Sequence, residues 1–246
     1  MKRILYLSYS ALLVPLLSSC QIGGMDNSSV TAMVLPYESR IASCDSHSYT
    51  TKDAETIDLG TARGDVILVG FKPNLTLEER QQIIRLFPFT NEIDGEVTMD
   101  SGIITRVKLI SDATCFEAWK TLKELEKHES VLFANPAFNP TPQDAGTYQW
   151  IGLTNEFIVA LEEGTSQEQF NALLKETNAA VVFSLSDEMH VVSADKNSTG
   201  NALELTTLFN SKAFVAGAEP NFIYFLNPID VETSTQRASF KKLKKN

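Results

Sequence analysis

Val66-Ile67-Leu68-Val69-Gly70-Phe71 and Asn155-Glu156-Phe157-Ile158-Val159-Ala160-Leu161 are two apolar runs about 90 residues apart, and reading them as one strand written twice decides the fold. Each is short and rich in β-branched and aromatic residues, which suits a pleated strand better than a helix. Each is followed at a matching offset by a helix start, Thr76-Leu77-Glu78-Glu79 in the first case and Ser166-Gln167-Glu168-Gln169 in the second. These are capping boxes: the hydroxyl and the side chain three residues on satisfy free amides of the first turn reciprocally. Past the boxes, Ile83, Ile84 and Phe87 fall on one side of the first predicted helix, and Phe170, Leu173 and Leu174 on one side of the second.

The correspondence continues outward. Residues 92–98 and 103–109 read as strands joined by Asp100-Ser101-Gly102, and residues 179–185 and 189–194 as strands joined by Ser186-Asp187-Glu188. A second helix follows in each copy, over 113–127 and 200–210, and then a last strand, over 131–138 and 213–225. The order β-α-β-β-α-β, twice, predicts an α+β protein of two tandem ferredoxin-like units, each an antiparallel four-stranded sheet with both helices on one face. The expected domains are 63–140 and 154–228, with a linker at 141–153 containing Pro142, Gly146 and Gly152. Residues 20–62, rich in Ser, Thr and Gly and without sustained period, read as a tether. Residues 229–246 read as a basic tail.

The N-terminus carries an address. Lys2 and Arg3 precede a largely apolar run over 4–17, which Ser8, Tyr9, Ser10 and Pro15 interrupt. It is too short and broken for a good spanning helix and suits the core of a secretory signal. The run ends in Leu17-Ser18-Ser19-Cys20, which resembles the lipobox of bacterial lipoproteins. That resemblance implies cleavage of a signal peptide at 1–19, acylation of Cys20 (palmitate among the chains) and a lipid-anchored protein of the cell envelope. Gln21 stands where an aspartate would signal retention in the inner membrane, so the outer membrane is expected, with the face left open. An ordinary signal peptide with a cysteine nearby is the alternative.

The final strand of the second copy is more specific than the fold. Ala213-Phe214-Val215-Ala216-Gly217-Ala218-Glu219-Pro220-Asn221-Phe222-Ile223-Tyr224 resembles the end of the propeptide domains of subtilisin-like serine proteases, especially the fervidolysin type. Phe157 to Leu161 with Glu163-Gly164-Thr165, and Gly70-Phe71-Lys72-Pro73 in the first copy, resemble the opening of the same domains. The resemblance covers roughly 64–140 and 155–226. It implies a protein that docks the open face of its sheet on surface helices of a protease, an acid capping helix amides there, and a following segment that enters the active-site cleft. Carried onto this chain, the protease-binding residues are Glu219, Pro220, Asn221, Phe222, Tyr224, Phe225, Leu226, Asn227 and Pro228, with Glu219 as the acid and 226–228 as the cleft segment. The first copy departs from the pattern, with Asn135 and Ala137 where the glutamate and asparagine would stand. The chain carries no catalytic domain after the motif, so the implied role is a membrane-anchored inhibitor or folding assistant of a separate subtilisin-like protease. The alternative is a non-inhibitory envelope module that reuses the fold to bind another protein.

A net charge of −10 argues against a general nucleic-acid binder. Arg237, Lys241, Lys242, Lys244 and Lys245 crowd the C-terminus, as a solvated tail or as a contact for anionic lipid or another polyanion. Cys44 and Cys115 remain after lipidation; they pair in an oxidising compartment, or Cys115 is a buried thiol at helical spacing with Ala118, Trp119, Leu122 and Leu125. No catalytic residue, metal site or cofactor is expected. His47, His128 and His190 begin no H-E-x-x-H motif, Cys44-Asp45-Ser46-His47 has no second ligand cluster and reads as loop, and no G-x-S-x-G elbow or Gly-rich phosphate loop occurs. Trp119 and Trp150 read as core or joint residues.

Overall fold

In the computed structural model, which describes residues 44–227, the two runs are inner strands of one eight-stranded sheet. The chain is α+β, with ten strands and four helices among the described residues. Cys20, Pro228 and the basic tail lie outside them.

The first half comprises β3 (Val66–Phe71), α1 (Leu77–Ile84), β4 (Thr90–Met99), β5 (Gly102–Leu109), α2 (Cys115–Lys127) and β6 (Val131–Phe138). The second comprises β7 (Tyr148–Leu161), α3 (Gln167–Thr177), β8 (Ala180–Ser184), β9 (Met189–Ser193), α4 (Ala202–Asn210) and β10 (Val215–Leu226). All four helices start on capping boxes: the expected ones at Thr76/Glu79 and Ser166/Gln169, and two more at Thr114/Glu117 and Asn201/Glu204. Each box satisfies amides that the helix geometry leaves free, so the starts are written locally.

Strand order is the same in both halves: β4-β5-β3-β6 in one and β8-β9-β7-β10 in the other, with antiparallel pairing throughout. In the first half, helix residues Ile84, Ala118, Leu122 and Leu125 pack with Ile67, Val69, Val107 and Val131 of the sheet. In the second, Phe170, Leu173, Leu203, Leu205 and Phe209 pack with Phe157, Val159, Val192 and Val215. Both helices of each half therefore share one sheet face. Each large apolar side chain fully buried there contributes about 1.5–3 kcal/mol.

Two boundaries differ from those expected. The linker is shorter than 141–153, because β7 begins at Tyr148 and runs fourteen residues. Its first part carries Trp150, Ile151 and Leu153, all buried, and pairs with β6 through Ala137↔Gly152 and Phe138↔Ile151. The halves are thus fused through the sheet. Gly152 suits this crossing: a Cβ there would lie 2.5 Å from Leu68 Cδ1, so the buried Leu68 side chain would have to shift.

The expected tether at 20–62 is folded over its last part. β1 (Ser46–Thr50) and β2 (Thr56–Thr61) form a hairpin whose polar composition hid it from a periodicity reading. Ser46 and His47, read as loop, open β1. The hairpin docks on the second half: the Thr50 amide donates to Thr207 Oγ1, and Asn210 Nδ2 donates to the Thr50 carbonyl. Cys44 just before it is disulfide-bonded to Cys115 at the start of α2, with Cα atoms 6.0 Å apart. Of the two readings of Cys115, pairing is the one found, and the sulfur is buried as well.

Candidate functional site

Each half presents a second sheet face, opposite its helices, and the two faces differ. That of the first half is covered. Val66, Leu68, Ile104, Phe133 and Ala137 form a small core with Trp150, and Ile223 and Phe225 pack against it. The Phe225 ring stacks on Trp150 at 3.6 Å between centroids, and the Arg106 guanidinium lies 4.8 Å over it. Asp94 holds Arg106 in place at 2.5 Å. The expectation that Trp150 is a joint residue holds. Trp119 departs from expectation, being half exposed on α2 rather than in a core.

The face of the second half is partly roofed. At one end, the β4–β5 turn reaches across: the Ser101 amide donates to Glu156 Oε1 at 2.6 Å and its hydroxyl donates to Asn155 at 2.9 Å. Glu156 is fully buried under this contact, and Asn221 Nδ2 also donates to it at 3.3 Å. The other end is open. Ile158 pairs with Val191 in β9, and Val191 with Phe183 in β8, so these three point the same way. Ile158 is 39% exposed, Phe183 49%, and Met189, paired with Ala160, 40%. Together they expose an apolar surface on the order of 300 Å², comparable to the largest patch on an ordinary monomer.

Glu219 sits at the margin of this surface. It is exposed on β10, opposite Ile158 in the ladder. Tyr49 and Tyr224 both have raised pKa values, first because burial disfavours the phenolate and then because of nearby charge, Glu219 included. The acid expected from the sequence is therefore accessible and beside the apolar face.

The other expected residues do not all join it. Pro220 is buried opposite Phe157. The Asn221 carbonyl accepts from Thr154 Oγ1, and its amide serves Glu156. Phe222 packs on the second-half core. Tyr224 is exposed and rests on Tyr148, 4.9 Å between ring centroids. Phe225 belongs to the covered face of the first half. Leu226 projects to solvent but its backbone pairs with Tyr148, and Asn227 donates its amide to Thr147 and its side chain to Ala145. Residues 226–227, expected to lead into a protease cleft, are thus folded back along β7. Ser101, Asn155, Glu156 and Arg106, which hold the halves in register, were not singled out by the sequence. Their roles depend on contacts between distant segments, and only the turn at Ser101 carried a local signal.

Two further places carry polar chemistry. A cleft of about 490 Å³ runs between α2 and the start of α4, lined by His47, Trp119, Asn135, Lys196 and Glu204 among others. The His47 pKa is lowered, first by burial, against the opposing pull of Asp45 and Glu204; its ring lies 5.2 Å from that of Phe138. Elsewhere, Ser184 Oγ and His190 Nδ1 are 2.9 Å apart, a nucleophile–base distance. However, the pair is a cross-strand neighbour pair, with the imidazole stacked on Phe170 and its Nε2 against the Asp187 backbone carbonyl. The orienting group is a carbonyl rather than a carboxylate, and neither residue lines the large cleft. His128 is the C-cap residue of α2. Among the described residues no three His, Cys, Asp or Glu side chains come together as a metal site, and no helix is long and apolar enough to cross a membrane. Comparison of the chain with protein-family models, curated proteins and solved structures gives no match.

Proposed function

We propose that this chain is a lipid-anchored envelope protein, acylated at Cys20, that binds a separate subtilisin-like serine protease as a propeptide-like inhibitor or folding assistant and performs no catalysis itself. The observation that carries the reading is the open face of the second half, where Ile158, Phe183 and Met189 stand exposed with Glu219 at their margin. An apolar sheet face supplies buried area, and a marginal carboxylate suits the positive end of a partner helix. Each half is read as a ferredoxin-like unit, which the repeated strand order and one-sided helices support. The Cys44–Cys115 disulfide suits an oxidising compartment outside the cytoplasm.

Docking is assigned to the sheet face alone. For residues 225–228 to enter a cleft, Phe225 would have to leave Trp150 and Asn227 its bonds to Thr147 and Ala145. That same anchoring favours the second reading, a non-inhibitory module that binds an envelope protein through this face. Peptide hydrolysis by a panel of subtilases, with the purified chain added, tests the first reading. Inhibition that weakens in Ile158→Lys and Glu219→Gln supports it. Complex formation without inhibition leaves the second reading, and no complex with any subtilase overturns the first. Cys20→Ala is expected to release the protein from membranes or block its processing; unchanged attachment would place the anchor elsewhere.

A further inference from the structure

The two half-sheets meet only briefly, where β6 pairs with β7 at Ala137 and Phe138. Beyond that point they part, and the cleft of about 490 Å³ occupies the gap, walled by α2 on one side and by the loop from β9 into α4 on the other. Trp119 stands in the wall. It is 50% exposed, whereas tryptophan is mostly buried in folded proteins, and its one ring contact among the described residues is Phe116 at 6.2 Å. A second hollow of about 300 Å³ shares Trp119, His47 and Asp45 with the first, so the indole stands between two cavities. The charged groups along the large cleft are mostly engaged. Lys196 donates to the His128 carbonyl, Lys123 pairs with Glu126, Asp195 accepts twice from Asn197, and Glu204 accepts the Asn201 amide. What remains is mostly neutral. Burial holds the His47 pKa low, so the imidazole is neutral at pH 7 and offers one donor and one acceptor, and neither nitrogen has a hydrogen-bond partner among the described residues. Asn135 gives Nδ2 to the Thr154 carbonyl and Asn155 takes the Ser101 hydroxyl on Oδ1, which leaves the second polar atom of each buried amide without a partner among them.

We propose that this cleft is a binding site for a neutral saccharide of one or two rings, stacked by its C–H face on Trp119 and held by His47 and the amides of Asn135 and Asn155. The ligand class follows from what the walls offer. A sugar ring has an apolar face and a rim of hydroxyls that donate and accept, which matches an indole face beside unengaged neutral donors and acceptors. An anion would meet Asp45, Glu126, Asp195 and Glu204 against only Lys123 and Lys196, and a cation would find most of the carboxylates already bonded. The volume is that of a small-molecule site, and a junction between two folded halves is a usual place for one. Neither Ile158 nor Glu219 lines the cleft, so the site stands apart from the protease reading.

The test titrates the full chain, in a detergent without a sugar headgroup, with N,N′-diacetylchitobiose, cellobiose and maltose, and with spermidine as the cationic comparison. Trp150 is buried, so a change in tryptophan emission reports on Trp119. At least one saccharide should give a saturable blue shift as its ring excludes water from the indole, and spermidine should not. Calorimetric titration of the same saccharide should show Trp119→Ala weakening binding by about tenfold, the upper range for one aromatic stack, with Trp119→Phe restoring part of it. Tyr224→Ala, at an equally exposed aromatic outside the cleft, should leave binding unchanged. Melting temperatures equal to the wild type show that the variants fold. No saturable shift with any saccharide, a response to spermidine alone, or equal losses in Trp119→Ala and Tyr224→Ala overturns the proposal.

Discussion

Removing the Cys44–Cys115 disulfide is expected to be the most damaging two-residue change that leaves the hydrophobic cores intact. The bridge spans 71 residues and links a hairpin docked on the second half to a helix of the first. In the chain-entropy account, closing a loop of this length removes about 15 cal/mol/K from the unfolded chain, or about 4 kcal/mol at room temperature. Both cysteines replaced by alanine should therefore lower the unfolding free energy by roughly 3–4 kcal/mol, within the range for native bridges. For a domain of this size that corresponds to a fall of about 6–16 °C in melting temperature. The urea m-value should rise as well, because the freed unfolded chain exposes more surface. The hairpin keeps its contacts with Thr207 and Asn210 in the variant, so circular dichroism at low temperature should be unchanged. Urea titration of the oxidised wild type, the reduced wild type and the double variant makes the comparison, and the last two should agree. A loss under about 0.5 kcal/mol, with the m-value unchanged, would refute the argument that the bridge acts on the unfolded chain.

Other consequences can be measured on the same protein. His47 has a lowered pKa in the fold, so the unfolded chain binds more protons below about pH 6.5 and stability should fall on acidification through that value toward the depressed folded one; His47→Gln should flatten the melting temperature between pH 7.5 and pH 5. Gly152→Val should destabilise by about 1–3 kcal/mol, read by urea unfolding, because its side chain would press on the buried Leu68 at the β6–β7 crossing. Glu156→Ala leaves the Ser101 amide and Asn221 without their acceptor at a buried site, and should cost about 1–3 kcal/mol and speed amide exchange at Ser101. Glu219→Gln should leave unfolding unchanged and weaken protease binding by up to about thirtyfold in a titration, the upper value for a partly buried carboxylate at a helix terminus.

What the sequence made legible was whatever is decided locally. The boxes at Thr76 and Ser166, the turns at Ser101 and Asp187, and the apolar faces of the helices each rest on spacings of a few residues. They place the strands and helices within a few residues of where they lie. What stayed hidden is decided at long range. Trp150 to Leu153 were read as linker because Gly152 and the nearby Pro142 and Gly146 look like loop, whereas the glycine is there to let β7 pass against Leu68. The β1–β2 hairpin escaped because its strands, Ser-His-Ser-Tyr-Thr and Thr-Ile-Asp-Leu-Gly-Thr, bury little and owe their place to α4 and the disulfide. At the candidate site, the motif around Glu219 fixed the strand and the exposed acid. It did not reveal that Phe225 turns the other way, since the ring's partner Trp150 lies 75 residues earlier in the chain.

The difference between the two halves follows from that one contact. Both halves start with an apolar sheet face that helices do not cover, and such a face costs stability unless something covers it. In the first half the cover comes from the second: β7 and β10 run past the end of their own unit and lay Trp150, Ile223 and Phe225 on Leu68, Ile104 and Phe133. The reciprocal cover is smaller, a single turn at Ser101 that reaches Asn155 and Glu156 and stops short of Ile158. The asymmetry is therefore built into strand length: the elongated β7–β10 pair is long enough to roof its neighbour, whereas the β4–β5 hairpin ends at Met99–Gly102. Lengthening that hairpin would complete the roof and remove the open surface without touching Glu219. A chain with two further cross-strand pairs inserted at the β4–β5 turn should be more stable to urea and should lose binding at the second face. If binding survived that insertion, the face would not be the site, whatever Glu219→Gln had shown.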